Sequence, residues 1–317
     1  MTASPLRPST ATSHALTVAA ALGAAREAGL VRLLDDGPIG IDALAGRTES
    51  HPRGVRLVMD GLVAAGIVDS SGQGYRWHPS SAADDLEQLW LGMTHLLSTG
   101  SAPISVDEPD VAGRLYPPVV TAIARHAEPA AERVSTLVES NARVLDVGSG
   151  AAPFGIAAAG AGGVVTLLDL PEVVDVGATR ARDLGLAVST IAGDVFDTSL
   201  DPRLASSFDV VVIGGFCRLF DAGRVERLLQ RAAGWLTPEG RLVIVDAVDS
   251  FEARQRGIGI YALNLATRTR GGGIHSFASF ARWLERAGFA HLELIACELV
   301  ETSIISARLV NQEGQPS

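Results

Sequence analysis

A short apolar run that ends in two glycines most constrains what this chain can fold into. Residues 143–153 read R-V-L-D-V-G-S-G-A-A-P, and an alanine-rich segment follows. Residues 144–147 are typical of a buried strand in a parallel sheet, and Gly148 and Gly150 then break the strand. A strand that turns through glycines into a helix points backbone N–H groups at a ligand. The pattern therefore predicts a nucleotide-type site in an α/β sheet.

A second apolar run and two flanking residues indicate which nucleotide is bound. Residues 164–168 lead to Asp169, and an acid about 20 residues after the glycines can bond ribose hydroxyls. Pro153 stands where a dinucleotide fingerprint has its third glycine, so that fingerprint is incomplete. Asp146 precedes the glycines and places a carboxylate beside the loop, which would repel a pyrophosphate but accept a cationic sulfonium. The pattern therefore favours S-adenosylmethionine over NAD.

The composition limits the class of protein and its partners. The chain has 317 residues, of which 47% are hydrophobic, and a formal net charge of −10. This length suits two domains with sizeable cores, and the negative charge without a basic cluster argues against a nucleic-acid partner. Cys217 and Cys297 provide neither a disulfide framework nor a metal-ligand spacing. Without a signal-peptide pattern or a membrane-length apolar run, we expect a cytoplasmic protein with no membrane partner.

The N-terminal part of the chain reads as helical pieces followed by a hairpin. Residues 1–12 are rich in Ser, Thr and Pro and are expected to form a loose arm. Gly29, Gly46 and Gly66 are each expected to end a helical piece. The helical pieces are expected at residues 13–34, 41–45 and 52–65, and the hairpin at residues 67–77. This order predicts a winged helix.

A winged helix can bind DNA through a recognition helix, here expected at residues 52–65, and this possibility depends on charge. The candidate recognition helix carries Arg53 and Arg56 as cations, and Asp60 offsets one of them. DNA binding requires neutralisation of several phosphates. We therefore interpret this region as a structural or dimerising module that also closes over a substrate.

Strands and helices alternate in the C-terminal half of the chain. A helix is expected at residues 86–97, a Pro- and Asp-rich domain junction at 100–113 and a further helix at about 118–140. Later strands are expected at residues 188–192, 208–214 and 241–246, helices at 223–236 and 277–287, and a turn at 238–240. The alternation predicts a doubly wound parallel sheet, to which strands at 292–296 and 303–309 add an antiparallel hairpin.

Four motifs, in this order, resemble those of the class I S-adenosylmethionine-dependent methyltransferases. They read V-L-D-V-G-S-G, L-L-D-L-P, G-D-V-F and W-L-T-P-E-G-R-L-V-I-V-D. The earlier segment G-L-V-R-L-L-D-D-G-P-I-G-I-D-A-L-A narrows the resemblance to small-molecule O-methyltransferases of natural-product pathways. The resemblance implies a homodimer with a Rossmann-like sheet. The implied domains are a winged-helix dimerisation domain at residues 1–100, a linker and helical junction at 101–142 and a cofactor domain at 143–317.

The resemblance also implies a set of cofactor-binding residues in this chain. Gly148 and Gly150 would line the methionine end of S-adenosylmethionine, and Asp169 would bond the ribose hydroxyls. Asp194 would accept the adenine amino group, and Phe196 would stack nearby. The full set is Gly148, Gly150, Asp169, Leu170, Asp194, Val195, Phe196 and Gly214.

The chain departs from this family at the catalytic base. The family's L-H-D-W becomes C-R-L-F at residues 217–220, so Arg218 stands where the histidine is expected. Arginine stays protonated and cannot remove a proton, so we expect Arg218 to bind an anion or polarise the substrate. His275, in a glycine-rich loop, is a candidate replacement base. Asp246, at the end of V-I-V-D, is expected to support local hydrogen bonds.

Two enzyme hypotheses follow from these residues. The first is methyl transfer from S-adenosylmethionine to a small-molecule acceptor, most often an oxygen, with S-adenosylhomocysteine as product and no histidine base. An acceptor that is already anionic needs only positioning. The second is a non-methylating enzyme of the same fold, in which the bound cofactor assists cyclisation, decarboxylation or hydroxylation of a pathway intermediate. A third hypothesis, a DNA-binding regulator, conflicts with the negative charge.

Overall fold

The computed structural model describes residues 10–35, 37–78, 92–250, 253, 258–297 and 302–310. Two compact units are formed, Met1–Leu91 and Gly92–Ser317. The segment 101–142 groups with the second unit, whereas the domain boundaries expected from the sequence stay a prediction. The expectations for residues 1–9 and 86–91 lie outside the described residues. No helix in the described ranges is long and apolar enough to cross a membrane.

The first unit contains the expected helices and hairpin. Gly29 (φ 78°) and Gly66 (φ 70°) adopt the left-handed conformation that ends a helical piece. Gly46 does not, because its helix continues to Arg47 and ends where the Thr48 N–H and hydroxyl both donate to the Leu44 carbonyl. The helices are Thr10–Glu27, Leu30–Leu34, Ile41–Arg47 and Pro52–Ala64, and strands β1 (Val68–Ser71) and β2 (Gly74–Trp77) are antiparallel.

The second unit is built on a seven-stranded sheet. Its strands are β3 (Arg143–Val147), β4 (Val164–Asp169), β5 (Ser189–Ala192), β6 (Phe208–Gly214), β7 (Leu236–Asp246), β10 (Phe289–Ala296) and β11 (Ser303–Leu309). Their order is β10-β11-β7-β6-β3-β4-β5, with β11 antiparallel to both neighbours and the other pairs parallel. A separate short parallel pair joins β8 (Val248–Asp249) to β9 (His275–Ser276).

The central strands are buried on both faces, as their continuous apolar sequences predict. Val144 of β3 belongs to one apolar cluster, and Leu145 and Val147 belong to the other. Helices on both sides of the sheet complete these clusters, which confirms the doubly wound α/β class. The helices of this unit are residues 92–99, Pro109–Leu115, Val120–Ser135, Pro153–Gly160, Pro171–Asp183, Asp201–Leu204, Ala222–Trp235, Ile258–Ala266 and Phe277–Arg286.

One expectation for this unit was wrong, the turn at residues 238–240. The Pro- and Asp-rich stretch at 100–113 contains the start of the helix Pro109–Leu115, because proline is favourable in a helix first turn, and its role as a domain junction stays a prediction. The turn expected at 238–240 lies inside β7, which begins at Leu236. Glu239 takes a left-handed φ of 63°, and the register with β6 shifts between Phe208 and Val210, so the irregularity is accommodated within the strand.

Candidate functional site

A cavity of about 440 Å³ lies at the carboxyl ends of the parallel strands. The chain order of the strands reverses between β3 and β6, which is where ligands bind in open α/β sheets. Along this edge, Asp194 follows β5, Asp169 ends β4, Gly148 follows β3, Arg218 follows β6 and Asp246 ends β7. The cavity therefore has two carboxylates on one side of the glycine loop and an arginine–aspartate pair on the other.

The glycine loop requires residues without side chains. Gly148 has φ 63° and Gly150 has φ 55°, a region that other residues rarely adopt. A Cβ on Gly148 would overlap the Phe216 ring. The Gly148 N–H donates to the Leu168 carbonyl at 2.8 Å, which fastens the loop to β4. The loop is therefore fixed against β4, and its two glycines place no side chain in the cavity.

Asp169 supports the same loop from β4. Its Oδ2 accepts a hydrogen bond from the Gly150 N–H at 2.7 Å, and its Oδ1 accepts one from the Leu170 N–H at 2.7 Å. Burial raises the pKa of this carboxyl to about 6, although the two backbone donors oppose the shift. Each oxygen keeps a second lone pair for a hydroxyl donor in the cavity.

The expected electrostatic role of Asp146 was wrong. Its carboxyl does not line the cavity but lies 1% exposed beneath the helix Pro153–Gly160, where Oδ2 accepts from the Gly155 N–H at 2.8 Å. Burial raises its pKa to about 8, so the group is mostly neutral at pH 7 and repels no phosphate. Charge repulsion at Asp146 therefore does not discriminate between the two cofactors.

Gly155 takes over the contact that the missing third glycine would make. A Cβ at this position would lie 2.6 Å from Leu167 Cδ2 and 2.9 Å from Asp146 Oδ2. The helix after the loop therefore packs closely against β3 and β4 through Gly155, two residues beyond Pro153.

The carboxylate side of the cavity has an aromatic wall. Asp194 Oδ1 accepts from the Phe196 N–H at 2.9 Å, and the Phe196 and Phe220 rings meet edge to face at 4.9 Å. The Arg224 guanidinium lies 4.2 Å from the Phe196 ring centre and 4.4 Å from that of Phe220. Its Nη1 also donates to the Asp107 carbonyl at 3.0 Å. Arg224 thereby connects the aromatic wall to the segment around Asp107.

Arg218 and Asp246 form the opposite side. Asp246 accepts from the Ala247 N–H at 2.8 Å (Oδ1) and from the Arg218 N–H at 3.1 Å (Oδ2). The guanidinium Nη1 of Arg218 stands 3.5 Å from Asp246 Oδ1, at the limit of a hydrogen bond, and 5.2 Å separates its carbon from the Tyr261 ring centre. The two backbone N–H groups thus lie closer to the Asp246 carboxylate than the Arg218 guanidinium does. The guanidinium keeps N–H donors for a ligand.

His275 lies outside the cavity, unlike the sequence expectation. Its Nε2 is 3.1 Å from the Phe220 carbonyl oxygen, and its ring packs edge to face against Trp283 and Phe280. The helix Phe277–Arg286 supplies both aromatic rings, so packing draws the imidazole away from the ligand space. This position supports a structural role for His275 rather than that of a base.

All eight expected cofactor residues line the same cavity as Arg218 and Asp246. Other side chains of the lining were missed because they belong to no motif and come from distant segments. They include Tyr116, His126, Arg224, Tyr261 and Arg268. Burial raises the pKa of Tyr116 to about 12, so its phenol stays protonated as a hydrogen-bond donor.

The chain is similar to known proteins over most of its length. A family model described as "Methyltransferase domain" matches residues 122–294. The tetracenomycin polyketide synthesis 8-O-methyl transferase TcmO of Streptomyces glaucescens is 27% identical over 91% of this chain and 92% of its own. The mitomycin biosynthesis 6-O-methyltransferase of Streptomyces lavendulae is 24% identical over 92% and 90%. The solved structure of human N-acetylserotonin methyltransferase in complex with SAM has a TM-score of 0.62, at 19% identity over 94% of this chain and 96% of that chain.

Proposed function

Because the chain belongs to the methyltransferase family whose domain model matches residues 122–294, we propose that it methylates an oxygen of a small molecule that reaches the site as an anion. S-adenosylmethionine is its cofactor. Two relatives are named as O-methyltransferases of tetracenomycin and mitomycin biosynthesis, which supports a secondary metabolite as acceptor. The acceptor class that we propose is an acidic phenol or a carboxylate.

The cavity residues fit S-adenosylmethionine. Gly148 and Gly150 leave the loop backbone open to the methionine end, and we assign Asp169 to the ribose hydroxyls and Asp194 to the adenine amino group. Ser149 Oγ, in the same loop, is buried and has no hydrogen-bond partner among the described residues. When bound, S-adenosylmethionine supplies an electrophilic methyl group on a positively charged sulfur and leaves as S-adenosylhomocysteine.

Arg218 is the observation that carries the proposal. Its guanidinium lines the cavity that would also hold the cationic methyl donor, and two like charges in a partly buried site repel each other. An anionic acceptor between them relieves this repulsion and satisfies the guanidinium N–H groups. The same acceptor needs no base, because it has lost its proton before it binds. Arg218 would position the anion, and Asp246 would position Arg218.

Methyl transfer to matched phenols tests this proposal. With methyl-labelled cofactor, we expect nitrophenols to be methylated faster than the corresponding phenols without the acidifying nitro group. Arg218→Ala should lose roughly tenfold to a hundredfold in kcat/KM for the acidic acceptor, because a charge-assisted hydrogen bond is removed. Arg227→Ala, on an exposed part of the helix Ala222–Trp235, serves as the matched control. Full activity of the Arg218→Ala enzyme with the nitrophenols would contradict the proposal.

His126 provides the competing explanation, base catalysis. It lines the cavity from the helix Val120–Ser135, and its Nδ1 is 3.2 Å from the Ala122 carbonyl oxygen. If Nδ1 carries the proton, Nε2 is free to accept one. We expect His126→Gln to keep at least half of the activity with an acidic phenol. A loss of a hundredfold or more would show that His126 acts as the base and that the acceptor arrives neutral.

Turnover without methylation is the second candidate function, and Arg218 is again the reason to consider it. An arginine at the family's base position, beside an otherwise complete cofactor site, suits an enzyme that uses the cofactor's charge alone. Stoichiometry separates the two functions. Methyl transfer releases one S-adenosylhomocysteine per product, whereas the second function consumes the acceptor without releasing any.

We also propose a homodimer, through an apolar face of the second unit. Leu97 is 90% exposed on the helix at residues 92–99, and Ile260 is 79% exposed on the helix Ile258–Ala266. The start of the first helix lies against the residue that follows the second, since a Cβ on Gly92 would lie 2.8 Å from the Thr267 Cβ. Exposed large apolar side chains such as these two mark an interaction surface. A second copy of the same chain is the commonest partner at such a surface.

A further inference from the structure

Two arginines from separate segments face the same end of the cavity. Arg218 lies in the turn Cys217–Leu219 after β6, and Arg268 lies just after the helix Ile258–Ala266. Both line the cavity together with Tyr261, whose ring centre lies 5.2 Å from the Arg218 guanidinium carbon. Burial raises the pKa of the Tyr261 hydroxyl, although the charges of both arginines oppose the shift. The acceptor end therefore contains two cations around one tyrosine.

The two turns that carry these arginines are fastened to each other. The Gly273 N–H donates to the Arg218 carbonyl at 2.9 Å. Gly272 lies against the same carbonyl, and a Cβ there would be 2.6 Å from the oxygen. His275 extends the contact through its 3.1 Å approach to the Phe220 carbonyl. These contacts join the turn after β6 to residues 272–275, which follow Arg268 in the same loop.

Arg268 and Arg218 differ in their pairing. Arg218 has the buried Asp246 beside it, whereas no carboxylate among the described residues forms an ion pair with Arg268. The Arg268 main chain is nevertheless anchored, because its carbonyl accepts from the Val106 N–H at 2.9 Å. Arg270, two residues further on, makes an exposed 2.6 Å ion pair with Glu108 and does not line the cavity. Arg268 is thus a solvent-exposed cation at the cavity wall, anchored through its main chain, and no side-chain carboxylate of the described residues pairs with it.

We infer that Arg268 and Tyr261 form a second anion subsite, which selects acceptors that carry a carboxylate in addition to the oxygen that is methylated. This inference rests on the proposed function and specifies its substrate class as aromatic hydroxy acids. The phenolate binds at Arg218, the carboxylate binds at Arg268, and the apolar lining from Val106, Tyr116 and Leu219 covers the ring. Two cations recognise two anionic groups, which gives specificity as well as affinity.

The test compares two chromophoric probes, 4-hydroxy-3-nitrobenzoate and 4-hydroxy-3-nitrobenzamide. The nitro group acidifies the phenol in both, so the probes differ chiefly in the charge of the second group. Methylation removes the nitrophenolate colour, which gives the rate directly. We expect the wild type to prefer the acid by roughly tenfold to a hundredfold in kcat/KM, mainly through KM. Arg268→Gln should reduce this preference to near one, and the control Arg270→Gln should keep it.

Each alternative result has a distinct meaning. A wild type that methylates both probes equally, or an Arg268→Gln enzyme that keeps the preference for the acid, overturns the second subsite and leaves methyl transfer standing. If neither probe is methylated, equilibrium binding decides the inference independently of turnover. Titration calorimetry with cofactor present should then show tighter binding of the acid than of the carboxamide, and Arg268→Gln should abolish that difference. Equal binding of the two probes to the wild type overturns the inference.

Discussion

At the scale of single residues, two buried carboxyl groups near the glycine loop differ in what they face. Asp146 faces the first turn of a helix and is mostly neutral at pH 7, because its pKa is raised to about 8. Asp169 holds two backbone N–H groups at the cavity and is mostly ionised at pH 7, because its pKa is raised only to about 6. Asp169 therefore titrates within the pH range in which cofactor binding can be measured.

Cofactor affinity should depend on pH through Asp169. Below its pKa of about 6 the carboxyl is protonated and loses acceptor capacity, so we expect the Kd of S-adenosylmethionine to rise by roughly tenfold per pH unit below that value. Above pH 7 the affinity should be constant. Titration calorimetry between pH 5 and 8 measures this, with Asp169→Asn as the variant that has lower affinity and no such pH dependence. An equal Kd for the wild type at pH 5 and pH 7.5 would contradict the assignment.

Replacing Arg218 by histidine tests whether that position can hold a base. Asp246 lies next to it and would orient an imidazole as it now orients the guanidinium. We expect Arg218→His to gain roughly a hundredfold with a phenol that lacks an acidifying group, because general base catalysis contributes about this much. The gain should appear as pH rises through about 6.5, the ordinary pKa of histidine. A variant that binds cofactor normally but shows no gain would place position 218 out of reach of the reacting oxygen.

At the scale of elements, the site depends on the contact between the turn after β6 and the turn at residues 268–275. Gly272 is the residue that permits this contact, since its Cα faces the Arg218 carbonyl. Gly273 contributes only its N–H to the same carbonyl, and a Cβ there meets nothing within 4 Å. The neighbouring glycines therefore have different sensitivities to substitution.

Gly272→Ala should move the two arginines relative to each other. A Cβ at 2.5 Å from Thr269 Oγ1 and 2.6 Å from the Arg218 oxygen must displace both the Thr269 side chain and the turn after β6, which we expect to cost about 1–3 kcal/mol of stability. Acceptor kcat/KM should fall by roughly tenfold to a hundredfold, because a displacement of this size disturbs positioning, while the Kd of the cofactor changes little. Gly273→Ala is the matched control and should behave as the wild type. Equal kinetics for the two variants would show that the turn contact does not position the acceptor.

The elements themselves were largely predictable from the sequence, and the lining of the cavity was not. The strand Phe208–Gly214 was predicted at its observed bounds, because an apolar run between turn residues identifies a buried parallel strand. The role of Asp146 depends on which way its side chain points, and periodicity does not contain that information. Arg268 and Tyr116 reach the cavity from segments without a motif, so only the folded chain brings them to Arg218. The assigned roles of the site residues stay predictions.

At the scale of the whole molecule, the exposed apolar face on the helices at 92–99 and 258–266 determines the expected assembly. We predict that Ile260→Glu shifts the chain from dimer to monomer, because a charge must then be buried in the interface. Leu184→Glu, at a 57% exposed apolar position after the helix Pro171–Asp183, is the control and should stay dimeric. Sedimentation velocity measures both. A wild type that sediments as a monomer at micromolar concentration contradicts the proposed dimer.

The position of β11 has a consequence for how the protein is made. This strand lies between β7 and β10, although both of those strands precede it in the chain. While the ribosome is producing the chain, the parallel strands can pair before residues 303–309 exist, so the edge of β7 stays open until they emerge. Open edges recruit strands from other molecules. The nascent protein should therefore depend on chaperones until Ile304 and Ile305 take their buried places beside β7.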